Sequence, residues 1–376
     1  MIYLDNSAST FTKPSEVLSA VNSACKYFTA NPGRSSHPLA IRGARLVEHT
    51  RSSLARYIGL DSGSVIFTDN CTGALNLAVL GLNRVKRHVV TSVFEHNALL
   101  RPLYHLERLG LASISFAKPR SGLSLDPNDI ISLIRPDTGL VALGHISNLT
   151  GSVAPVYAVG RECKRRGITF LVDGAQSVGH HPVDMDKNNI DMLAIAPHKG
   201  LRSITGVGVL AVRSGIALSP IKFGGTGYSS AQKFQPCDIP DGFEAGTLPL
   251  IPICALSSAV NRKRIHGESE RQKIASLGRY FYSKIRSIDN LTVYCETPEC
   301  GIIPFNIGSL DSEAVSQILS SEYGICTRAG LHCAPLIHKF LGTSARGAVR
   351  VSIGCDNTVD ELDFCIRAII EIASLN

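Results

Sequence analysis

The chain contains no tryptophan, no Cys-x-x-Cys pair and no block of like charges. It also lacks any run of about 18 apolar residues, so no membrane span is expected. The N-terminus "MIYLDNSAST" has no basic stretch leading into an apolar run, so no secretory signal is read there and a cytoplasmic location is expected. Eleven cysteines are present, an odd number, and they are scattered. A disulfide framework and a zinc ribbon both fit that pattern poorly, and free thiols in a reducing cytosol fit it well. The densest basic clusters are "KRR" at 164–166 and "RKR" at 262–264. Both read as solvated helix faces, so no direct nucleic-acid partner is expected.

What is present is ordinary globular material. The chain has 376 residues, 44% hydrophobic and 18% charged, enough for two domains with their own cores. The net charge of +7 suits a protein that binds small anions. Between about residues 60 and 215 short β-rich runs alternate with helical patterns. The runs are "SVIFT", "HVVTS", "ASISF", "GLVALGHI", "ITFLVD", "DMLAIA" and "GVGVLAV". Several are apolar throughout, as strands covered on both faces should be. Helical patterns such as "TGALNLAVLGL" and "VYAVGRECKRRG" lie between them. The pattern predicts an α/β domain with a mainly parallel seven-stranded sheet, whose ligands bind beyond the carboxyl ends of the strands. After the Gly-rich "KFGGTGYSS" the character changes. A helix over about 251–288 is followed by the strands "LTVYC" and "IIPFNIG", the helix "SEAVSQILSSEYG" and a last helix from Val359. The expected division is a large domain at 15–263, with 1–14 and 264–376 forming a smaller α+β domain.

The loops after the strands hold the chemistry-bearing residues. In "LVDGAQS" a strand ends on Asp173, with Gln176 three residues on. Asp173 reads either as a helix or turn cap or as a ligand-facing acid. In "AIAPHKGL" the next strand runs into His198 and Lys199, 26 residues after Asp173. A single lysine is usually a solvated surface group. A lysine paired across neighbouring strand ends with an aspartate also matches what pyridoxal phosphate requires: a Schiff-base amine and a partner for the pyridinium nitrogen. "TDNCTGALN" reads as strand end, turn and helix start, with Thr72 placed to cap the helix, and the same N–H groups can hold a phosphate. His96, after "HVVTS", is either a satisfied structural histidine or a ring stacked on a cofactor. In "RAGLHCAP" at 328–335, Cys333 sits among small residues beside His332, with Arg328 five positions upstream. It reads as an incidental thiol, as a metal ligand with His332 and His338, or as a reactive thiol. The metal reading lacks a supporting ligand pair, and no metal is expected.

Taken together, "YLDNSAST", "NPGRSSHPLA", "FEHN", "HISNLTG", "VDGAQSVGHHPVD", "PHKGL", "FEAGTLP", "RAGLHCAPLIH" and "VRVSIGCDNT" resemble, in order and spacing, the cysteine desulfurase and selenocysteine lyase family of the class V aminotransferase fold. The resemblance runs nearly end to end. It implies a PLP-dependent transferase fold, pyridoxal 5'-phosphate as cofactor, L-cysteine or L-selenocysteine as substrate, a sulfur-acceptor protein or thiol as partner, and a homodimer. It implies that Lys199 holds the cofactor, Asp173 pairs with its ring nitrogen, Gln176 bonds its phenolic oxygen and His96 stacks on its ring. Thr72 and His198 would hold the phosphate, with Cys71 packing in that loop and Asn148 near the ring. Thr247 would reach the phosphate site of the neighbouring subunit. Arg350, Arg328, Asn148 and His37 would face the substrate, Arg350 binding its carboxylate. Cys333 aligns with the family's nucleophile, with Lys199 moving protons and Arg328 and His332 favouring the thiolate. Its loop resembles the short type, which turns over slowly without an acceptor. The alternative is another enzyme of this fold, an aminotransferase, β-lyase or epimerase that needs Lys199 and not Cys333. A third reading is a sulfur-relay platform with little catalysis.

One segment departs from the family pattern. Ala196 and Pro197 stand where a hydroxyl residue and a glycine are common before His-Lys, and Ser203 and Ile204 replace a Gly-Pro pair after it. Proline has no N–H and alanine no hydroxyl, so at least one phosphate donor is lost. Weaker cofactor affinity than is usual for the family is expected.

Overall fold

A computed structural model describes residues 1–32, 35–82 and 88–375. Gly33 and Arg34 of "NPGRSSHPLA" lie outside the described residues. The strands are β1 (Ile2–Tyr3), β2 (Gly63–Thr68), β3 (His88–Ser92), β4 (Ser113–Ala117), β5 (Thr138–Gly144), β6 (Thr169–Asp173), β7 (Met192–Ile195), β8 (Gly208–Arg213), β9 (Leu291–Val293), β10 (Ile302–Ile307), β11 (Ile325–Cys326) and β12 (Val349–Ser352). The helices are α1 (Ser15–Tyr27), α2 (Pro38–Tyr57), α3 (Cys71–Leu80), α4 (Asn97–Arg108), α5 (Pro127–Ile131), α6 (Val156–Arg166), α7 (Leu250–Ile285), α8 (Ser312–Ser321), α9 (Pro335–Leu341) and α10 (Val359–Ser374).

The seven β-rich runs of the sequence form one seven-stranded sheet in the order β2-β8-β7-β6-β5-β3-β4. Only β8 runs against its neighbours; the other pairings are parallel. Although these strands look uniformly apolar, their side chains alternate between two cores, as the period of two requires. Val65, Phe67, Val141, Leu143, Phe170, Val172, Leu193 and Ile195 pack on one face with α1, α2, α6 and α7. Ile66, Leu140, Ala142, Leu171, Met192 and Ala194 pack on the other face with α3 and α4. Burial on both faces explains the absence of polar alternation. Helix α6 stops where Gly167, at φ 63°, donates back to Cys163 and Lys164, a turn that a residue with a Cβ adopts at a cost.

A second core gathers Leu4 with Leu277, Phe281, Ile303, Phe305, Val349, Val351 and residues of α8 and α10. Here β9, β10 and β12 form an antiparallel sheet, and β1 pairs in parallel with β11. The 36-residue α7 contributes to both cores, and the boundary read at residue 263 falls inside it. The N-terminal segment and β12 therefore deliver residues of the second core to the carboxyl edge of the large sheet. No helix among the described residues is long and apolar enough to cross a membrane.

Candidate active site

The carboxyl ends of β5, β6 and β7 and the start of α3 open onto one cleft of about 630 Å³. It is lined by Cys71, Thr72, His96, Asn148, Asp173, Gln176, His198 and Lys199, with Ala196 and Phe94. Eight residues singled out in the sequence thus meet in one place, because each follows a strand end on the same edge of the sheet.

At its base Asp173 closes β6, accepting a hydrogen bond from the Ala175 N–H at 2.9 Å and a weak contact from the Cys71 thiol at 3.9 Å. Burial raises its pKa, against the pull of the Ala175 N–H, Lys199 and the Cys71 thiol. Lys199 faces it, and burial lowers the amine's pKa, with Arg350 and Arg328 adding to the effect and Asp173 and Cys71 opposing it. Burial thus shifts the amine and the acid in opposite directions, each toward its neutral form, in a low-dielectric wall. Burial and Asp173 push the Cys71 thiol well up, which leaves it a packing residue.

His96 caps α4, its Nδ1 accepting from the Ala98 N–H at 3.0 Å. The proton therefore sits on Nε2. Burial, reinforced by Lys199, Arg328, Arg101 and Arg350, pushes the pKa down to about 4, so the ring facing the cleft is neutral. His198 is likewise pushed down to about 4, by burial and by Lys199 and Lys13. Its backbone carbonyl accepts from the Thr10 hydroxyl at 3.0 Å and Lys13 Nζ at 3.3 Å. Gln176 donates to the Ser7 carbonyl at 3.0 Å. The N-terminal segment thus forms a wall of the site, a contribution the sequence reading missed.

Thr72 is not the cap of α3. Asn70 holds that position, with extended backbone and its Oδ1 accepting from the Gly73 N–H at 2.9 Å. A cap needs non-helical φ and ψ, and Thr72 is already inside the helix. Its hydroxyl is free to face the cleft beside the first amides of α3, which have no intrahelical acceptors.

Arg350, on β12, is 1% exposed. It donates to the Asn148 carbonyl at 2.8 Å and to Asp5 at 2.5 Å, while its Nε is buried without a partner. Asn148 donates to the His332 carbonyl at 2.7 Å, and its Oδ1 is also buried and unpartnered. That bond ties the Cys333 segment to the cleft wall. A second tie is the Asn97 N–H, which donates to the Cys333 carbonyl at 2.7 Å. His332 and Cys333 are consecutive non-glycine residues at φ 50° and 55°, each costing roughly 1–2 kcal/mol in that left-handed region. The strained turn leaves the Cys333 thiol exposed, 4.0 Å from Arg328 Nη2.

His332 does not assist that thiol. Its ring is buried against the Ala348 carbonyl at 2.9 Å, and burial, with Arg350 adding, pushes its pKa down to about 3. It is a neutral structural ring stacked on His338 at 6.0 Å. Among the described residues no group of three or more His, Cys, Asp or Glu could hold a metal. Two expected residues are not brought to the cleft of their own chain. His37 caps α2, accepting from the Ala40 N–H at 3.2 Å. Thr247 lies in a separate depression with Thr68, Asp69, Gly73 and Lys222.

A cleft at the carboxyl edge of a mainly parallel sheet, with a lysine facing a buried aspartate, defines a fold type I pyridoxal phosphate enzyme. The aminotransferase class-V family model matches residues 2–364, and the chain belongs to that family, whose members work with pyridoxal phosphate. It is 32% identical over 382 residues to a probable cysteine desulfurase of Methanothermobacter thermautotrophicus, covering 100% of this chain and 95% of the relative. It is 29% identical to the cysteine desulfurase IscS of Photorhabdus laumondii subsp. laumondii, covering 98% and 91%. The apo cysteine desulfurase of Thermococcus onnurineus NA1 superposes with a TM-score of 0.92 at 28% identity, covering 100% and 95%.

The cleft fits that cofactor on its own chemistry. A depressed lysine amine, a buried carboxylate, a neutral imidazole and the open amides of a helix N-terminus match an aldehyde, a ring nitrogen, an aromatic ring and a phosphate. One stretch is poorer than the rest: Ala196 has no side-chain hydroxyl and Pro197 no N–H, and their carbonyls are taken by the Lys199 and Ser203 N–H groups.

Proposed function

We propose that the chain is a cysteine desulfurase that takes sulfur from L-cysteine onto Cys333 and releases L-alanine. The observation that carries this reading is the Asn148 bridge. The Asn148 side chain lines the cleft of Lys199 and Asp173 and donates to the His332 carbonyl, while the Asn148 backbone carbonyl accepts from Arg350. That bridge supports a single site served by the Lys199 amine, the Arg350 guanidinium and the exposed Cys333 thiol.

Lys199, Asp173, Gln176, His96, Thr72 and His198 would hold pyridoxal phosphate, which when bound supplies a sink for the electron pair released at the substrate Cα. Asp173, kept in the wall without a full counter-ion, would balance a protonated ring nitrogen. Arg350 would orient the substrate carboxylate, and its unpartnered Nε is among the donors left for it. Lys199 Nζ, its pKa lowered by burial, would take the Cα proton and later return one. Cys333, as thiolate, would attack the substrate sulfur. The S–S bond forms on Cys333, the Cβ–S bond breaks, and its electron pair and a proton end on the methyl group of alanine. Arg328 Nη2 is the cation beside that thiol, 4.0 Å from Sγ. L-selenocysteine would meet the same contacts.

Residues 327–334, between β11 and α9, are pinned by the His332 and Cys333 carbonyls, which supports a short fixed loop that passes sulfur to an acceptor protein or thiol docking over it. Thr247 and the exposed Phe223 and Phe234 (75% and 78%) support a homodimer in which Thr247 serves the partner's phosphate site. The test is to measure alanine and sulfide together from L-cysteine with reductant, in the wild type and in Cys333→Ser. Equal amounts that vanish in the variant are expected. Pyruvate with sulfide, unchanged in the variant, would assign a β-lyase and make Cys333 a bystander.

A further inference from the structure

Arg202 lies three residues after Lys199, and its N–H donates to the Lys199 carbonyl at 2.8 Å, closing the lysine turn. It is a non-glycine residue at φ 61°, and its guanidinium is buried, 4% exposed. That group donates to the Thr12 carbonyl at 3.1 Å, to Glu270 at 3.0 Å and to Cys355 Sγ at 2.8 Å, and pairs with Asp356. Glu270 also accepts from Lys263 at 2.5 Å and pairs with Arg262, which reaches Glu16 at 3.7 Å. Lys263 in turn donates to the Gly179 carbonyl at 2.8 Å.

We propose that Arg202 is a positioning residue that sets where Lys199 stands relative to Arg350 and Cys333. One cation joins four pieces of chain: the lysine turn of the large sheet, the N-terminal wall, helix α7, and the segment that leaves β12 after Arg350. Stability alone is a poor reason to keep such a group. A buried ion network gives little net stabilisation over apolar residues of similar volume, and the left-handed backbone at Arg202 adds cost. What a planar guanidinium supplies here is fixed geometry toward several acceptors at once. The inference rests on the proton-moving role given to Lys199 above.

The test compares the cofactor-loaded wild type with Arg202→Met, Arg202→Lys and Asp356→Asn. Displacing a reacting group by about an ångström costs on the order of 100-fold. Arg202→Met is therefore expected to lose roughly 10- to 100-fold in kcat per cofactor-loaded molecule, with KM for L-cysteine little changed. The pH titration of the cofactor's visible band should shift, and hydrogen exchange should quicken at residues 199–206. Arg202→Lys should recover part of the loss. Asp356→Asn, which removes one partly exposed arm only, should show a smaller change of the same sign and decides the matter if Arg202→Met does not fold. A fall in Tm alone, with kcat, band titration and exchange unchanged, would overturn the inference and leave Arg202 a structural residue. A Lys199→Ala control that remains active would overturn the role of Lys199 itself.

Discussion

Glu95 sits between His96 and the strand it follows, 1% exposed, and its charge state sets a clear expectation. Its Oε1 accepts from the Ser92 hydroxyl at 2.5 Å and its Oε2 from the Gly144 N–H at 2.7 Å. Burial pushes its pKa up from 4.5 to about 8; the Ser92 and Gly144 bonds pull it down and Asp173 pushes it further up. Between those two values the folded protein holds a proton that the unfolded chain has released. The stabilisation is therefore complete below about pH 4.5 and is lost as pH rises through about 8. Each pH unit in that window is worth about 1.4 kcal/mol, so the loss between pH 6 and pH 9 comes to about 3 kcal/mol. Glu95→Gln carries no proton to lose, and its amide can keep both contacts. Urea unfolding of both holoproteins at pH 6 and pH 9 should show the variant gaining about 3 kcal/mol on the wild type. Desulfuration should fall above pH 8 in the wild type only, because ionised Glu95 repels Asp173. A stability gap that stays constant within about 0.5 kcal/mol would mean that Glu95 titrates near its ordinary value, and would refute the reasoning.

Asn70→Ala removes the α3 cap and should cost about 1 kcal/mol, read as a lower Tm, together with weaker pyridoxal phosphate binding at the helix end. Ala196→Ser combined with Pro197→Gly restores two donors. With charge-assisted hydrogen bonds worth about 1.5–3 kcal/mol each, the cofactor dissociation constant should fall at least about tenfold by equilibrium dialysis; an unchanged constant would mean that the phosphate does not contact this segment. Asp5→Asn leaves the buried Arg350 without its counter-ion, a loss of about 3–5 kcal/mol for a fully buried pair and less here because Asp5 is partly exposed. Its KM for L-cysteine should rise, since the guanidinium loses its fixed orientation.

The large sheet was legible because each of its strands is an apolar run closed by turn residues, and because β-to-α alternation specifies a parallel sheet. The site was legible where chemistry follows a strand end: Asp173, Lys199, His96 and Gln176 meet as read. Other features depend on contacts between residues far apart in sequence, which no local pattern carries. The Asp5–Arg350 pair spans the chain from end to end, and the Arg202 network joins residues of the lysine turn to α7 and to Cys355 and Asp356. The two-residue strands β1 and β11 are too short to show a period. The choice of Asn70 over Thr72 as cap turned on backbone angles, not residue type, since both residues can cap. His332 looked like an activating base by adjacency to Cys333, yet the left-handed turn sends its ring into the protein and the thiol outward.

Sulfur is expected to pass through Cys333. The most direct test is to mix the cofactor-loaded protein with one equivalent of L-cysteine, quench with an alkylating agent and locate the added sulfur by peptide mass spectrometry. One extra sulfur atom is expected on the peptide carrying Cys333, formed in step with alanine and removed by a reductant. Alanine formed with the extra sulfur on another cysteine, or on none, would contradict a route through Cys333.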